Sequence, residues 1–311
     1  MKLNLKMNFK MEDAMKKWVC LLATCFMMAL CGAFAESGEI VTTNFPCYDF
    51  ARQIAGDAAQ VRMLICPGAE VHSYEPSPAD ILSIGGADLF VYIGGESDVW
   101  VDGILDSFGA EAPASLKLMD SVSLLEEEEH DHDELAYDEH IWTSPKNAIA
   151  MVRAVEAALC EALPESADAF HANADAYAAE LAEIDAALAE IVANGARKEL
   201  VFADRFPFLY LAHDYGLSCS AAFTSCTAET EPSAQTLVKL IEVIQRDHIP
   251  VVYTIELSKG TIARTIAEET GVEILTLYSA QTVTQAQFDA GESYASLMWK
   301  NLEAIEKGLN G

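Results

Sequence analysis

Residues 61–95 read VRMLICPGAEVHSYEPSPADILSIGGADLFVYIGG, and this stretch decides the fold class. Val61-Arg62-Met63-Leu64-Ile65 is a short apolar run stopped by Pro67-Gly68, which reads as a strand running into a turn. Ser77 to Ile84 reads as a helix with its proline at the start, where a missing N–H is no loss. Asp88-Leu89-Phe90-Val91-Tyr92-Ile93 is a second strand, closed by Gly94-Gly95. Upstream, Ile40-Val41-Thr42-Thr43 reads as an opening strand and Asp49 to Ala55 as a short helix. Strands alternating with helices at this spacing indicate a parallel, doubly wound sheet. Ligands of such sheets sit beyond the carboxyl ends of the strands, and His72 falls in one of those loops.

Further along, Ser144 to Gly195 reads almost wholly as helix, broken only at Pro164, with Ser144-Pro145 as an N-cap and N1 pair. Glu165 to Asn194 is rich in Ala and Glu, with Phe170, Tyr177, Leu181, Ile184, Leu188 and Ile191 at helical spacing. A helix of that length reaches roughly 45 Å, enough to cross two lobes. The α/β pattern then restarts. Leu200-Val201-Phe202, Val251 to Ile255 and Glu273 to Leu277 read as strands; Pro232–Asp247, Thr261–Thr270 and Tyr294–Leu309 read as helices. The expected architecture is α/β: two doubly wound lobes, residues 36–163 and 195–311, joined by one long helix over residues 164–194. No internal sequence repeat is apparent.

The chain has 311 residues, 51% of them hydrophobic, enough for a substantial core. Its charge is lopsided: 19 Lys and Arg against 49 Asp and Glu give −30. Such a surface repels phosphate backbones and anionic headgroups, which argues against nucleic-acid binding and docking on membranes through a basic face. Cations are its natural partners.

Lys2, Lys6, Lys10, Lys16 and Lys17 precede an apolar run, Trp18 to Leu30, that closes on Gly32-Ala33-Phe34-Ala35. Basic, apolar and small-residue regions in that order predict a secretory signal over residues 1–35. Neither Leu30-Cys31 nor Thr24-Cys25 offers the small residue that precedes an acylated cysteine, so plain cleavage after Ala35 is expected. Five cysteines would remain: Cys47, Cys66, Cys160, Cys219 and Cys226. They make no disulfide framework, although one Cys219–Cys226 bond is allowed, and no Cys-x-x-Cys pair exists to form a zinc knuckle.

His140 sits in Asp138-Glu139-His140-Ile141-Trp142-Thr143-Ser144-Pro145, directly before a capped helix; like His72 it belongs to a loop of the first lobe. Between Glu126 and His140 the chain carries six Glu, three Asp and three His, the imidazoles being His130, His132 and His140. Histidines among carboxylates suit divalent transition metals, zinc above all. His130 and His132 read either as part of a solvated acidic loop or as weak gatherers of metal. The chain lacks a Gly-x-Ser-x-Gly elbow, a Walker A loop, a Gly-x-Gly-x-x-Gly fingerprint and a His-Glu-x-x-His helix.

On PGAEVHSYEPSPADI, GADLFVYIGG, the acidic His-bearing insert, HIWTSPKNA, DYGL, ETEPSAQTLVKLIEVI and IAEETGVEIL, the chain resembles the metal-binding solute-binding lipoproteins of ABC importers for zinc and manganese, over about residues 40 to 309. The resemblance implies two α/β lobes on a rigid long helix and a metal held in the cleft between them by four side chains. It also implies a protein outside the cytoplasmic membrane, periplasmic or at the cell surface and in some cases lipid-anchored, that docks as a monomer on a membrane permease. His72 matches the family's first ligand and His140 its second. The third position falls at Ala203, with Asp204 as the adjacent carboxylate. The fourth falls at Tyr278, with Glu256 as the carboxylate ending a nearby strand. Cys226 is a weaker candidate. Two imidazoles and carboxylates favour zinc as the ligand, with manganese or ferrous iron behind it. A zinc hydrolase with an open coordination position is the competing class, but no dedicated general base accompanies the histidines.

Overall fold

A computed structural model describes residues 38–127, 136–223 and 232–311. The signal region 1–35, His130, His132 and Cys226 lie outside the described residues.

The first sheet is built from β1 (Gly38–Thr42), β2 (Ala59–Met63), β3 (Leu89–Tyr92) and β4 (Ser115–Lys117), all parallel, in the order β2-β1-β3-β4. Leu89, Phe90, Val91 and Tyr92 are all buried, as expected of an interior parallel strand covered on both faces. Its helices start where local chemistry dictates. Asn44 caps α1 (Phe45–Ala55) by accepting from the Cys47 N–H, and Ser77 and Asp80 form a reciprocal capping box on α2 (Pro78–Gly85). A third helix, α3 (Trp100–Phe108), follows β3.

Two helices then run through the middle of the molecule. In α4 (Pro145–Ala162) the buried residues Ala148, Met151, Val152, Val155 and Leu159 recur at helical spacing. Ser144 occupies its N-cap, yet the hydroxyl donates to Asp214 instead of accepting from the helix. The long α5 (Ala167–Asn194) has 28 residues and buries Phe170, Tyr177, Leu181, Ile184 and Leu188, with Val192 in the place the sequence reading gave to Ile191.

The second sheet repeats the order of the first. Its strands are β5 (Glu199–Phe202), β6 (Ser218–Ala221), β7 (Val251–Thr254) and β8 (Glu273–Thr276), arranged β6-β5-β7-β8 and again all parallel. Around them lie α6 (Leu209–Tyr215), α7 (Ala234–Asp247), α8 (Thr261–Thr270), α9 (Gln285–Asp289) and α10 (Tyr294–Asn310). The topology is thus duplicated without a readable sequence repeat. Cys219 on β6 carries a free thiol, and Cys226, the partner that spacing allowed it, lies outside the described residues.

Asp49 ties the two halves to the long helix. Buried on α1, it accepts from the Tyr177 hydroxyl on α5 at 2.7 Å, the Tyr294 N–H on α10 at 2.9 Å and Arg52 Nε at 2.7 Å. With Gln53 Nε2 as a fourth donor at 3.5 Å, the buried carboxylate is fully satisfied and fixes the three helices against one another. No described helix is long and apolar enough to cross a membrane.

Candidate metal centre

The loop after β2 carries His72, the turn after β3 carries Ser97, and the segment before α4 carries Asp138, Glu139 and His140. All three lie toward carboxyl ends of the first sheet's strands, where such sheets bind ligands. Glu139, His140 and Asp138 are buried, and His72 is largely so.

One donor atom from each of His72, Glu139 and His140 falls within 4.8 Å of the others, and this is the one cluster of its kind among the described residues. The two imidazole rings are 5.7 Å apart, and the Trp142 ring stands 5.4 Å from that of His140. The cluster lines a cavity of about 430 Å³ together with Gly94, Gly95 and Lys117.

Each imidazole is held on its Nδ1 side. His72 Nδ1 lies 2.9 Å from Ser97 Oγ and 3.2 Å from Glu139 Oε1. His140 Nδ1 lies 3.2 Å from Asp138 Oδ1, which also accepts the His140 backbone N–H at 2.8 Å. A carboxylate on one ring nitrogen fixes tautomer and orientation and makes the other nitrogen the better donor to a metal. Ser97 holds Glu139 as well, its N–H donating to Oε2 at 2.7 Å and its hydroxyl to Oε1. Gly95 is required here because a Cβ at that position would overlap Cβ and Oε2 of Glu139.

Burial opposes the charge on Glu139. The hydrogen bond to His72, the charge of His140 and the two Ser97 donors outweigh it and hold the carboxyl down at about 2. Asp98 moves the other way. Burial and the nearby Glu139 charge push it up to about 7, against the N–H groups of Gly94 and Ile93 that donate to it.

Of the four residues singled out in the sequence, the structure brings His72 and His140 together. Asp204 and Glu256 instead line a separate cavity of about 600 Å³ with Glu70, Arg205 and Gln281, and neither joins the cluster. Ser279 holds both oxygens of Glu256, the N–H donating to Oε2 at 2.7 Å and the hydroxyl to Oε1, much as Ser97 holds those of Glu139. Asp204 Oδ1 accepts the Arg205 N–H at 2.9 Å, while its Oδ2 is buried with no hydrogen-bond partner. Ala203 is buried in the second lobe's core, and the Tyr278 backbone is held by Asn301. Glu139, absent from the sequence-derived set, is the carboxylate that joins the two imidazoles in the cluster. Its signal was the Asp-Glu-His triplet, in which adjacent carboxylates serve different imidazoles.

Two parallel sheets of equal topology, with a buried imidazole–carboxylate cluster at the strand ends of the first, define the chain as a two-sheet α/β protein. Residues 40–308 match the family described as ZnuA, zinc-uptake complex component A, periplasmic, and the chain belongs to that family. It is 36% identical over 307 residues to the zinc-binding lipoprotein AdcA of Streptococcus pneumoniae serotype 4, covering 94% of this chain but only 61% of that protein. It is 31% identical over 315 residues to the high-affinity zinc uptake system protein ZnuA of Bacillus subtilis strain 168, covering 94% and 98% of the two chains. The solved Zn(II)-bound ZnuA-like domain of S. pneumoniae AdcA matches with a TM-score of 0.76 at 34% identity, over 88% of this chain and all of that one. The metal-dependent lipoprotein YcdH of B. subtilis matches with a TM-score of 0.78 at 30% identity, over 88% and 99%. The two-lobe fold expected from the sequence is the fold these structures share.

Proposed function

We propose that this chain is an extracytoplasmic solute-binding protein that captures zinc and hands it to the permease of an ABC importer. The observation that carries this reading is the convergence of His72, Glu139 and His140 donors within 4.8 Å. Two imidazoles with one carboxylate form a set that zinc takes and that ferrous iron also takes, whereas manganese favours more oxygen ligands. In this assignment Nε2 of each imidazole faces the ion, and Asp138, Ser97 and Glu139 fix the rings from the Nδ1 side. Glu139, charged throughout the physiological range, contributes a carboxylate oxygen. Asp204 and Glu256 support the second lobe's loops, Glu256 through Ser279.

The relatives named as zinc-binding or zinc-uptake proteins support zinc as the cargo. Membership of an uptake family favours stoichiometric capture over turnover. The basic, apolar and small-residue leader supports export to the periplasm or cell surface. Metal content of protein purified without chelators, followed by competition titration, tests the reading. One tight zinc equivalent is expected, with His72→Ala and His140→Ala each weakening it at least tenfold. Variants that titrate like the parent would overturn the site.

A further inference from the structure

Gln281, on the loop between β8 and α9, reaches across to the first lobe and places its amide nitrogen 3.3 Å from Nε2 of His72. An amide NH₂ only donates, so in this contact Nε2 must accept through its lone pair. The other side of the ring agrees: Nδ1 faces Glu139 Oε1 and Ser97 Oγ, acceptors for its proton. His72 is therefore held in the tautomer that a metal needs, but with the donor lone pair already engaged.

We infer that Gln281 is an affinity-setting residue whose amide competes with the metal for His72 Nε2. The inference rests on His72 being a ligand, as assigned above. A zinc ion sits about 2 Å from an imidazole nitrogen. Placed along the lone pair that Gln281 now occupies, it would fall well inside contact distance of the amide, so capture requires the amide to swing away.

The loop backbone favours a side-chain movement over a loop movement. The Gln281 N–H donates to Ser279 Oγ at 3.2 Å, Ser279 is clamped on Glu256, and Trp142 Nε1 donates to Ser279 O at 2.7 Å. Thr282 Oγ1 accepts the Gly68 N–H at 3.1 Å, fixing the next residue as well. The metal-free site is thereby kept ordered, and each capture must break the amide–imidazole bond. Apparent affinity is lowered by the fraction of molecules in which that bond is formed.

Competition titrations with a calibrated chelator on the full chain test this, comparing the parent with Gln281→Ala and with Gln281→Met, which keeps the length and removes the donor. One net hydrogen bond predicts zinc affinity about two- to tenfold tighter in both variants. Unchanged affinity overturns the inference, as does weaker affinity, which would make the amide oxygen a ligand. Nitrogen NMR of the metal-free parent should show His72 Nε2 unprotonated, with its resonance moving in Gln281→Met. A protonated Nε2 overturns the inference. If His72→Ala binds zinc like the parent, the metal site itself is wrong, an outcome that the Gln281 variants do not produce.

Discussion

Ser97 Oγ lies 2.9 Å from Nδ1 of His72, and the same residue holds both oxygens of Glu139. One serine thus sets the position of two of the three converging groups. Ser97→Ala should leave the fold intact and weaken zinc binding by about ten- to a hundredfold, the usual cost of losing such a supporting partner. Calorimetric or chelator titration, with circular dichroism as the folding control, decides the point. Parental affinity would mean that the backbone N–H of Ser97 suffices.

Gly95 makes the same carboxylate possible by presenting no side chain to it. In Gly95→Ala, Glu139 must move, at an overpacking cost of about 1–3 kcal/mol. Zinc affinity should fall as far as in Glu139→Gln, with a lowered melting temperature. A variant that melts earlier but binds zinc normally would show that Glu139 is dispensable for capture.

The fold was legible wherever the chain writes its periodicity strongly. The β3 run, the capped start of α2 and the long Ala-rich α5 all announce themselves. Ser115–Lys117 and Ser218–Ala221 do not: they are short, partly polar edge strands whose pairing depends on neighbours far away in sequence. The approach of His72 to His140 was legible because one follows a strand and the other precedes a helix of the same lobe. Glu139 was hidden among the acids of the insert, since nothing in a run of carboxylates reveals which one Gly95 and Ser97 will admit. Glu256 follows β7 and is held by the Ser279 N–H and hydroxyl in the second lobe, apart from the imidazole cluster, a distance that strand-end position alone does not reveal.

Glu126 and Tyr137 pair as an antiparallel bridge, and the Glu127 N–H donates to Ala136 O at 3.0 Å. Residues on either side of 128–135 are therefore already joined as a stem. Replacing 128–135 with Asn-Gly, a two-residue hairpin turn, should preserve that stem and the tight zinc equivalent. Only weak, additional zinc equivalents should disappear from the titration. Collapse of tight binding would instead place His130 or His132 on the ion.

Asp98 binds a proton more tightly when folded, at about 7 against 3.8 for an unperturbed aspartate. Its contribution to stability is therefore fully present below about pH 4 and lost as pH rises through about 7. Metal-free Asp98→Asn keeps an acceptor for the Ile93 and Gly94 N–H groups without acquiring the buried charge. Between pH 5 and 8 the parent's melting temperature should drop relative to that of the variant. Parallel curves would show that Asp98 is ionised across the whole range.

The pH dependence of capture follows from which donors titrate. Imidazole ligates only when neutral and ordinarily titrates near about 6.5, whereas carboxylates titrate near about 4. Glu139, held down at about 2, remains charged across the whole window and adds no slope of its own. Apparent zinc affinity should therefore fall as pH drops, because each imidazole must be neutral to ligate the ion. A site made of carboxylates alone would keep its affinity to roughly pH 5. In Glu139→Gln the affinity should be lower throughout with the slope unchanged, because the group removed is not the one that titrates. Chelator competition from pH 7 to 5.5 reads both quantities, and a flat parental profile would rule out a site built on His72 and His140.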